Sequence, residues 1–288
     1  VKLVVRMQLF SVRKILGISL VLLALVPAVL VGLLLVHASS RAAQDMAGSI
    51  LTHVADRVQI GSEDHLLQAH EVLNALALPK PSPADAAATL GWLRDTAAFE
   101  TMAFALIRQS PYISALYIGD ARGNYLGVEP TAAGVKVGVR RPEDDGRTFY
   151  LAQSPRDRSH RLNAETRSYD PRARVWYQGA ERAKERVFSP VRVSEHQKLM
   201  VRLSQPVPDV RGNVAGVVGV DLQLQPLADA LRIQRISAHG AAFVVDENLA
   251  LVASSAGDAL LTHNGADYQR VSPSMSANPV IRTSFAAL

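Results

Sequence analysis

The sequence predicts an α+β protein, with a membrane-spanning helix and a second long helix ahead of antiparallel sheet flanked by helices. Three features carry that expectation. Ile15 to Val36 is an uninterrupted run without a charged residue. Ala38 to Leu78 lacks proline and repeats Met46, Ile50, Val54 and Val58 every four residues. Beyond Pro111 the apolar period shortens to two, broken by glycine- and aspartate-rich turns, as half-buried strands require.

The first 14 residues hold Lys2, Arg6, Arg13 and Lys14 and no acid, and the next 15 beyond Val36 hold only Arg41 as a strong base. At about 1.5 Å per residue the 15–36 run crosses a hydrocarbon core of roughly 30 Å. The charge bias places residues 1–14 in the cytoplasm and everything beyond 36 outside. A secretory leader with cleavage after Val36-His37-Ala38 would have an apolar core of about 7 to 15 residues. This run is longer, which favours a retained anchor, with Pro27 tolerated inside it. Residues 37–78 then read as a long stalk helix whose apolar face continues through Leu66, Leu73 and Leu76. His53, His65 and His70 lie along it without the three- or four-residue spacing that brings imidazoles together, and they read as surface residues rather than metal ligands.

Pro79 to Pro83 is a break, with Ser82 as an N-cap and Pro83 in the first helical position. Helices follow over about 84–94 and 97–109. Ile113 to Ile118 and Tyr125 to Val128 form a hairpin about Gly119-Asp120-Ala121-Arg122-Gly123-Asn124. Residues 129–161 are rich in Pro, Gly, Asp and Arg and are expected to be long loops with one short strand near Thr148 to Leu151. A turn at Asp170-Pro171 opens a helix to about Lys184, which places Arg174, Trp176 and Tyr177 in its first turns beside Tyr169. Short strands follow at 186–188 and 191–193. Leu199 to Val207 alternates, with Leu199, Val201, Leu203 and Val207 on one face and Met200, Arg202 and Ser204 on the other. The turn Asp209 to Asn213 leads into a strand from Val214 to Leu224 on which Val217, Gly219 and Asp221 point together. A helix from Pro226 to about Arg235 and a strand, turn and strand over 240–254 complete the pattern. Helices around an antiparallel sheet with long loops between central strands describe a PAS-like module.

One cation and three aromatics therefore gather at Tyr169, Arg174, Trp176 and Tyr177. A guanidinium offers a rigid fork to a carboxylate, and Trp and Tyr supply an apolar wall with one donor each, a combination suited to a small anionic or zwitterionic ligand. A buried packing motif with Arg174 paired to an acid fits the same residues. Asp221, aligned with a glycine and an apolar residue, needs a partner: a ligand ammonium, a following turn or a nearby arginine all serve.

The element Tyr169, four residues, Arg174, one residue, Trp176-Tyr177, followed by Gly216-Val217-Val218-Gly219-Val220-Asp221-Leu222, resembles the double Cache family of bacterial extracytoplasmic sensors. The resemblance runs from the membrane segment to the last residue. It implies a membrane-distal PAS-like module over 79–224 and the start of a membrane-proximal one over 225–288. It implies an inner-membrane receptor with a periplasmic sensor region, homodimeric through the stalk helix, in which ligand binding biases transmembrane signalling. In amino-acid-binding members the positions matching Tyr169, Arg174 and Trp176 hold the ligand carboxylate, and the one matching Asp221 holds its ammonium group. Those members usually carry a tyrosine on the strand after the helix, where this chain has Val191-Arg192. The expected ligand is thus an amino acid or an organic acid such as a dicarboxylate, with Tyr177 and Arg192 as further contacts.

Other classes fit poorly. The net charge is +5, but only 6 of the 31 basic residues are lysines and the arginines are interspersed with acids, unlike a nucleic-acid patch. With no cysteine there are no disulfides or thiolate metal sites. No GxxxxGK, HExxH or GxSxG occurs, so no catalytic centre, cofactor or metal is expected in these residues. No second membrane-length run follows Val36, so a return helix and an output domain are expected beyond Leu288. The alternative function is the sensory end of a receptor enzyme: an adenylate- or guanylate-type nucleotide cyclase, a diguanylate cyclase or a histidine kinase. Asn278 to Leu288 resembles receptor-type adenylate cyclases. An adhesion or dimerisation module without a ligand is a third reading.

Overall fold

The computed structural model describes residues 12–162, 168–194, 197–233, 240–264 and 267–287. Expectations for residues 1–11 and for the end of the helix opened by Pro226 lie outside them. The chain divides into two compact units, Val1–Asp56 and Arg57–Leu288. Helix α1, Val12–Leu76, covers the uncharged run and the proline-free stretch, with Pro27 inside it. Within Ser19–Met46 an 18-residue window reaches a mean hydropathy of 2.9, and the described apolar side chains from Leu16 to Val36 are exposed, Leu23 by 78%. The helix is long and apolar enough to cross a membrane.

In the larger unit, α2 (Pro83–Arg94) begins on a capping box. Ser82 accepts the Asp85 N–H while the Asp85 carboxylate accepts the Ser82 N–H. Asp95 caps α3 (Thr96–Gln109) by accepting the N–H groups of Ala97 and Ala98. The strands are β1 (Ile113–Asp120), β2 (Tyr125–Thr131), β3 (Gly134–Arg140), β4 (Thr148–Ala152), β5 (His160–Arg161), β6 (Val187–Phe188), β7 (Arg192–Val193), β8 (Leu199–Pro208) and β9 (Val214–Gln223). They form one antiparallel sheet in the order β5-β4-β3-β2-β1-β9-β8-β6, with β7 also on β8. Helix α4 (Val175–Ala183) lies in the β5–β6 connection and ends at Lys184, whose φ of 54° is left-handed. After α5 (Gln225–Ile233) come the hairpins β10 (Phe243–Val245) with β11 (Leu251–Ser254) and β12 (Leu261–Asn264) with β13 (Asp267–Arg270), then α6 (Pro279–Ala286).

The expectation of long loops over 129–161 is corrected by β3, which pairs residue for residue with β2 from Tyr125↔Arg140 to Thr131↔Gly134. Its Gly-Val-Lys-Val-Gly-Val-Arg sequence alternates, but its glycines and the surrounding prolines mask the period. One sheet face buries Leu116, Ile118, Leu126, Val218, Val220 and Leu203 against Leu73 and Leu76 of α1 and Phe99 and Phe104 of α3. The opposite face buries Tyr117, Tyr125 and Val217 against Tyr169 and against Trp176, Tyr177 and Ala180 of α4. Both faces are covered, so β8 and β9 are buried on both sides although only one set of their side chains reads as core.

Two arginines tie the helices to the sheet. Arg186 donates to the carbonyl of Ala77 at 2.9 Å, to Asn74 Oδ1 at 2.9 Å and to Gln205 Oε1 at 2.9 Å, satisfying backbone left open at the end of α1. It also meets His70 Nδ1 at 3.2 Å, and His70 packs edge-on against Phe188. His70 is therefore half-buried rather than the surface residue its spacing suggests, whereas His53 is exposed. Arg158 grips the buried Glu100 of α3 with two nitrogens at 2.9 and 2.8 Å, and the Arg156 N–H adds a third bond at 2.8 Å.

Candidate functional site

The site is built on rows of cross-strand neighbours. Ser204, Gly219, Tyr117, Gly127, Gly138 and Phe149 are successive partners across β8, β9, β1, β2, β3 and β4, and so share one face. Glycines on this face make room for rings. A Cβ on Gly219 would lie 2.2 Å from the Tyr117 ring, and one on Gly119 would lie 3.0 Å from Trp176 and from Pro171. Trp176 thus packs over the sheet at the start of α4, its ring centroid 4.8 Å from that of Tyr117 and 5.6 Å from that of Tyr177. Tyr125 stacks 6.1 Å from Tyr117 and meets Tyr169 edge-on at 5.1 Å.

Asp170 accepts the Arg172 N–H and a 3₁₀ turn spans Pro171–Ala173, so the helix starts later than the turn signal suggests. Arg174 is the extended residue that precedes α4, not part of its first turn. This conformation lays its guanidinium 4.4 Å over the Tyr169 ring, where the Arg147 guanidinium also lies at 3.9 Å. Among the described residues the Arg174 Nε is enclosed without an acceptor, and its Nη2 reaches only the Ser168 carbonyl, at 3.5 Å. Among the described residues no carboxylate pairs with Arg174. Tyr177 Oη and Ser204 Oγ are likewise buried without a partner. Unsatisfied polar atoms are rare in folded interiors and call for an explanation, such as a ligand.

Asp221 sits at the other end of the tyrosine series. Its Oδ1 accepts from Tyr117 Oη at 2.7 Å and from Arg202 Nε at 2.5 Å, and its Oδ2 accepts from Arg202 Nη2 at 2.8 Å. Arg202 is its direct cross-strand neighbour on β8. Arg192 on β7, paired with Met200 and so on the same face, brings Nη2 to 3.7 Å from Oδ2. Of the partners the sequence allowed Asp221, the structure selects a nearby arginine.

The tyrosines stay protonated. Burial pushes Tyr117 well above its ordinary pKa, reinforced by the Asp221 charge, and burial likewise raises Tyr125. Burial raises Tyr169 against the pull of Arg147, of a hydrogen bond from Trp176, and of Arg174 and Arg202. Tyr177 is lifted to about 12 by burial and by acidic neighbours. Burial disfavours the Arg202 charge, yet Tyr117 and Asp221 hold its pKa above the ordinary guanidinium value. The site therefore offers O–H and N–H donors and fixed cations.

All six sequence-derived candidates join one connected group: Tyr169, Arg174, Trp176 and Tyr177 around α4, and Asp221 with Arg192 at the β9 and β7 end. Sequence reasoning missed Tyr117, Tyr125, Arg147 and the pairing role of Arg202. The strand glycines were the available signal, because a glycine inside a strand often marks a close approach.

Residues 118–229 match the family model described as methyl-accepting chemotaxis protein-like, first PDC sensor domain. Adenylate cyclase 1 of Rhizobium meliloti (strain 1021) is 27% identical over 261 residues, 82% of this chain and 37% of the cyclase. The methyl-accepting chemotaxis protein McpA of Pseudomonas putida is 32% identical over 114 residues, 39% of this chain and 18% of that protein. The chain thus spans well under half the length of these curated relatives. Among solved structures, the ligand-binding domain of Campylobacter jejuni chemoreceptor Tlp3 in complex with L-valine aligns at a TM-score of 0.46 and 14% identity, over 72% of this chain and 68% of that one.

Proposed function

We propose that this chain, whose residues 118–229 match the model of a PDC sensor domain, senses a small organic ligand outside the membrane, at the Tyr169, Arg174, Trp176, Tyr177, Asp221 and Arg192 site, and biases transmembrane signalling. The observation that carries the reading is Arg174: a guanidinium stacked on Tyr169, with an enclosed Nε that lacks an acceptor among the described residues, is suited to a carboxylate or a similar anion. The uncharged run anchors the chain in the inner membrane with the sensor region on the periplasmic side. Residues 37–78 act as a homodimeric stalk, and residues 79–224 and 225–288 act as membrane-distal and membrane-proximal modules. Because α4 contacts the ligand and leads directly to Arg186, which grips the end of α1, a shift of α4 reaches that helix through hydrogen bonds.

A thermal-shift screen of the chain in detergent micelles against small carboxylates and amino acids is expected to find a stabilising ligand. Arg174→Ala should abolish the shift. Stabilisation that survives this change would remove the site from the argument. A second reading, the sensory end of a receptor enzyme, is favoured by the adenylate cyclase relative, whose similarity extends over most of this chain. Cyclic AMP measured in cells expressing the whole coding region tests it.

A further inference from the structure

The acidic end of the site is already neutralised from within the fold. A carboxylate has about four lone-pair positions. On Asp221 one is taken by the Tyr117 hydroxyl and two by the Arg202 fork, and Arg192 stands 3.7 Å from Oδ2. Arg202 is no mobile surface counter-ion: its side chain is 14% exposed, and its guanidinium lies 5.3 Å over the Tyr117 ring. It is also aligned on Asp221 by strand register rather than by a loop. An incoming ammonium group would have to displace a bidentate guanidinium and then sit against two guanidinium groups. Like charges brought that close in a shielded site repel strongly. At the other end, Arg174 has no carboxylate partner among the described residues. Arg174, Arg192 and Arg202 thus share one carboxylate among the described residues, and the surrounding tyrosines and Trp176 contribute donors.

We propose, resting on the sensor reading above, that the ligand is an organic carboxylate lacking an ammonium group, and that Arg202 is the specificity-determining residue that excludes α-amino acids. Arg174 takes the ligand carboxylate, and Arg202 and Arg192 present a second cationic wall. Asp221 orients Arg202 instead of receiving an amine.

Calorimetric titration of the full chain in detergent micelles with matched pairs tests this, each pair differing by one ammonium group: propionate and L-alanine, succinate and L-aspartate, glutarate and L-glutamate. At least one carboxylate is expected to bind, about tenfold or more tightly than its amino partner, one like-charge contact being sufficient for that ratio. Asp221→Asn removes the one negative charge that faces these cations among the described residues and should tighten carboxylate binding by on the order of fivefold. Arg202→Met frees Asp221 and should reverse the order within the pair, while Arg202→Lys, which keeps a charge on Asp221, should preserve it. Far-UV circular dichroism confirms that each variant is folded, and Arg202→Lys carries the comparison should Arg202→Met unfold. An amino acid bound as tightly as its partner, or binding destroyed by Asp221→Asn, overturns the inference and leaves the sensor reading standing. Absence of binding by every pair also overturns it, whereas the sensor reading falls only on its own screen with Arg174→Ala.

Discussion

Gly219→Ala is the substitution whose effect the geometry defines most sharply. The new Cβ would lie 2.2 Å from Tyr117 Cε2, 2.6 Å from Cζ and 2.8 Å from Oη. The ring has little freedom to yield. It is 3% exposed, it packs against Trp176 and Tyr125, and its hydroxyl is bonded to Asp221. Overpacking of this kind costs about 1–3 kcal/mol. If the ring swings aside, a hydrogen bond to a charged acceptor worth about 1.5–3 kcal/mol goes with it. Alanine recovers about 0.5–1 kcal/mol through reduced backbone entropy in the unfolded chain. The net loss is about 2–4 kcal/mol. For a unit the size of Arg57–Leu288 this lowers the melting temperature by about 5–15 °C. Urea and thermal unfolding of the chain in micelles, followed by tryptophan fluorescence, measure it. A double-mutant cycle with Tyr117→Ala assigns the loss to this contact: once the ring is gone, Gly219→Ala should cost almost nothing, a coupling of about 2–4 kcal/mol. Unfolding midpoints for Gly219→Ala within about 0.5 kcal/mol of the parent would refute the placement of Tyr117 over β9.

Two further outcomes follow from buried charges. Glu100→Ala leaves Arg158 and the Arg156 N–H without their acceptor, and should destabilise the larger unit by about 3–5 kcal/mol in urea titrations. An effect below about 1 kcal/mol would show that Arg158 does not hold α3 to the connection between β4 and β5. Burial and then the Arg186 charge lower the pKa of His70 below 6.5, so the fold favours the neutral ring. The depressed folded value means that this stabilisation is complete above about 6.5 and is lost as pH falls through the folded value. The melting temperature should drop on acidification below pH ~6.5, and His70→Asn should flatten that part of the curve; an unchanged slope would exclude His70 as its origin.

Much of the site was legible because its chemistry is concentrated in a short stretch. Tyr169, Arg174, Trp176 and Tyr177 fall within nine residues, and a proline turn followed by a helix necessarily keeps them together. Asp221 was legible by its alternation with Gly219 and Val217, since period-two patterning assigns a face. Strand β3 was not, because glycines at its start and in its interior weaken a short alternation and register with β2 supplies what propensity does not. The extended backbone of Arg174 was hidden as well, since Pro171 opens either a 3₁₀ turn or an α-helix and only packing of Trp176 over Gly119 selects between them.

Composition and periodicity alone determined the uncharged membrane-length run, the α+β class and the aromatic and arginine residues gathered before α4. These follow from local rules: length against bilayer thickness, apolar period and turn chemistry. What pairs with Asp221 was decided only by tertiary structure. The alignment of β8 with β9 sets Arg202 opposite it, and the glycine at 219 lets Tyr117 lie across and donate to it. Strand register is a long-range property fixed by both sheet faces being buried at once, so the occupancy of that carboxylate is written nowhere in the local sequence.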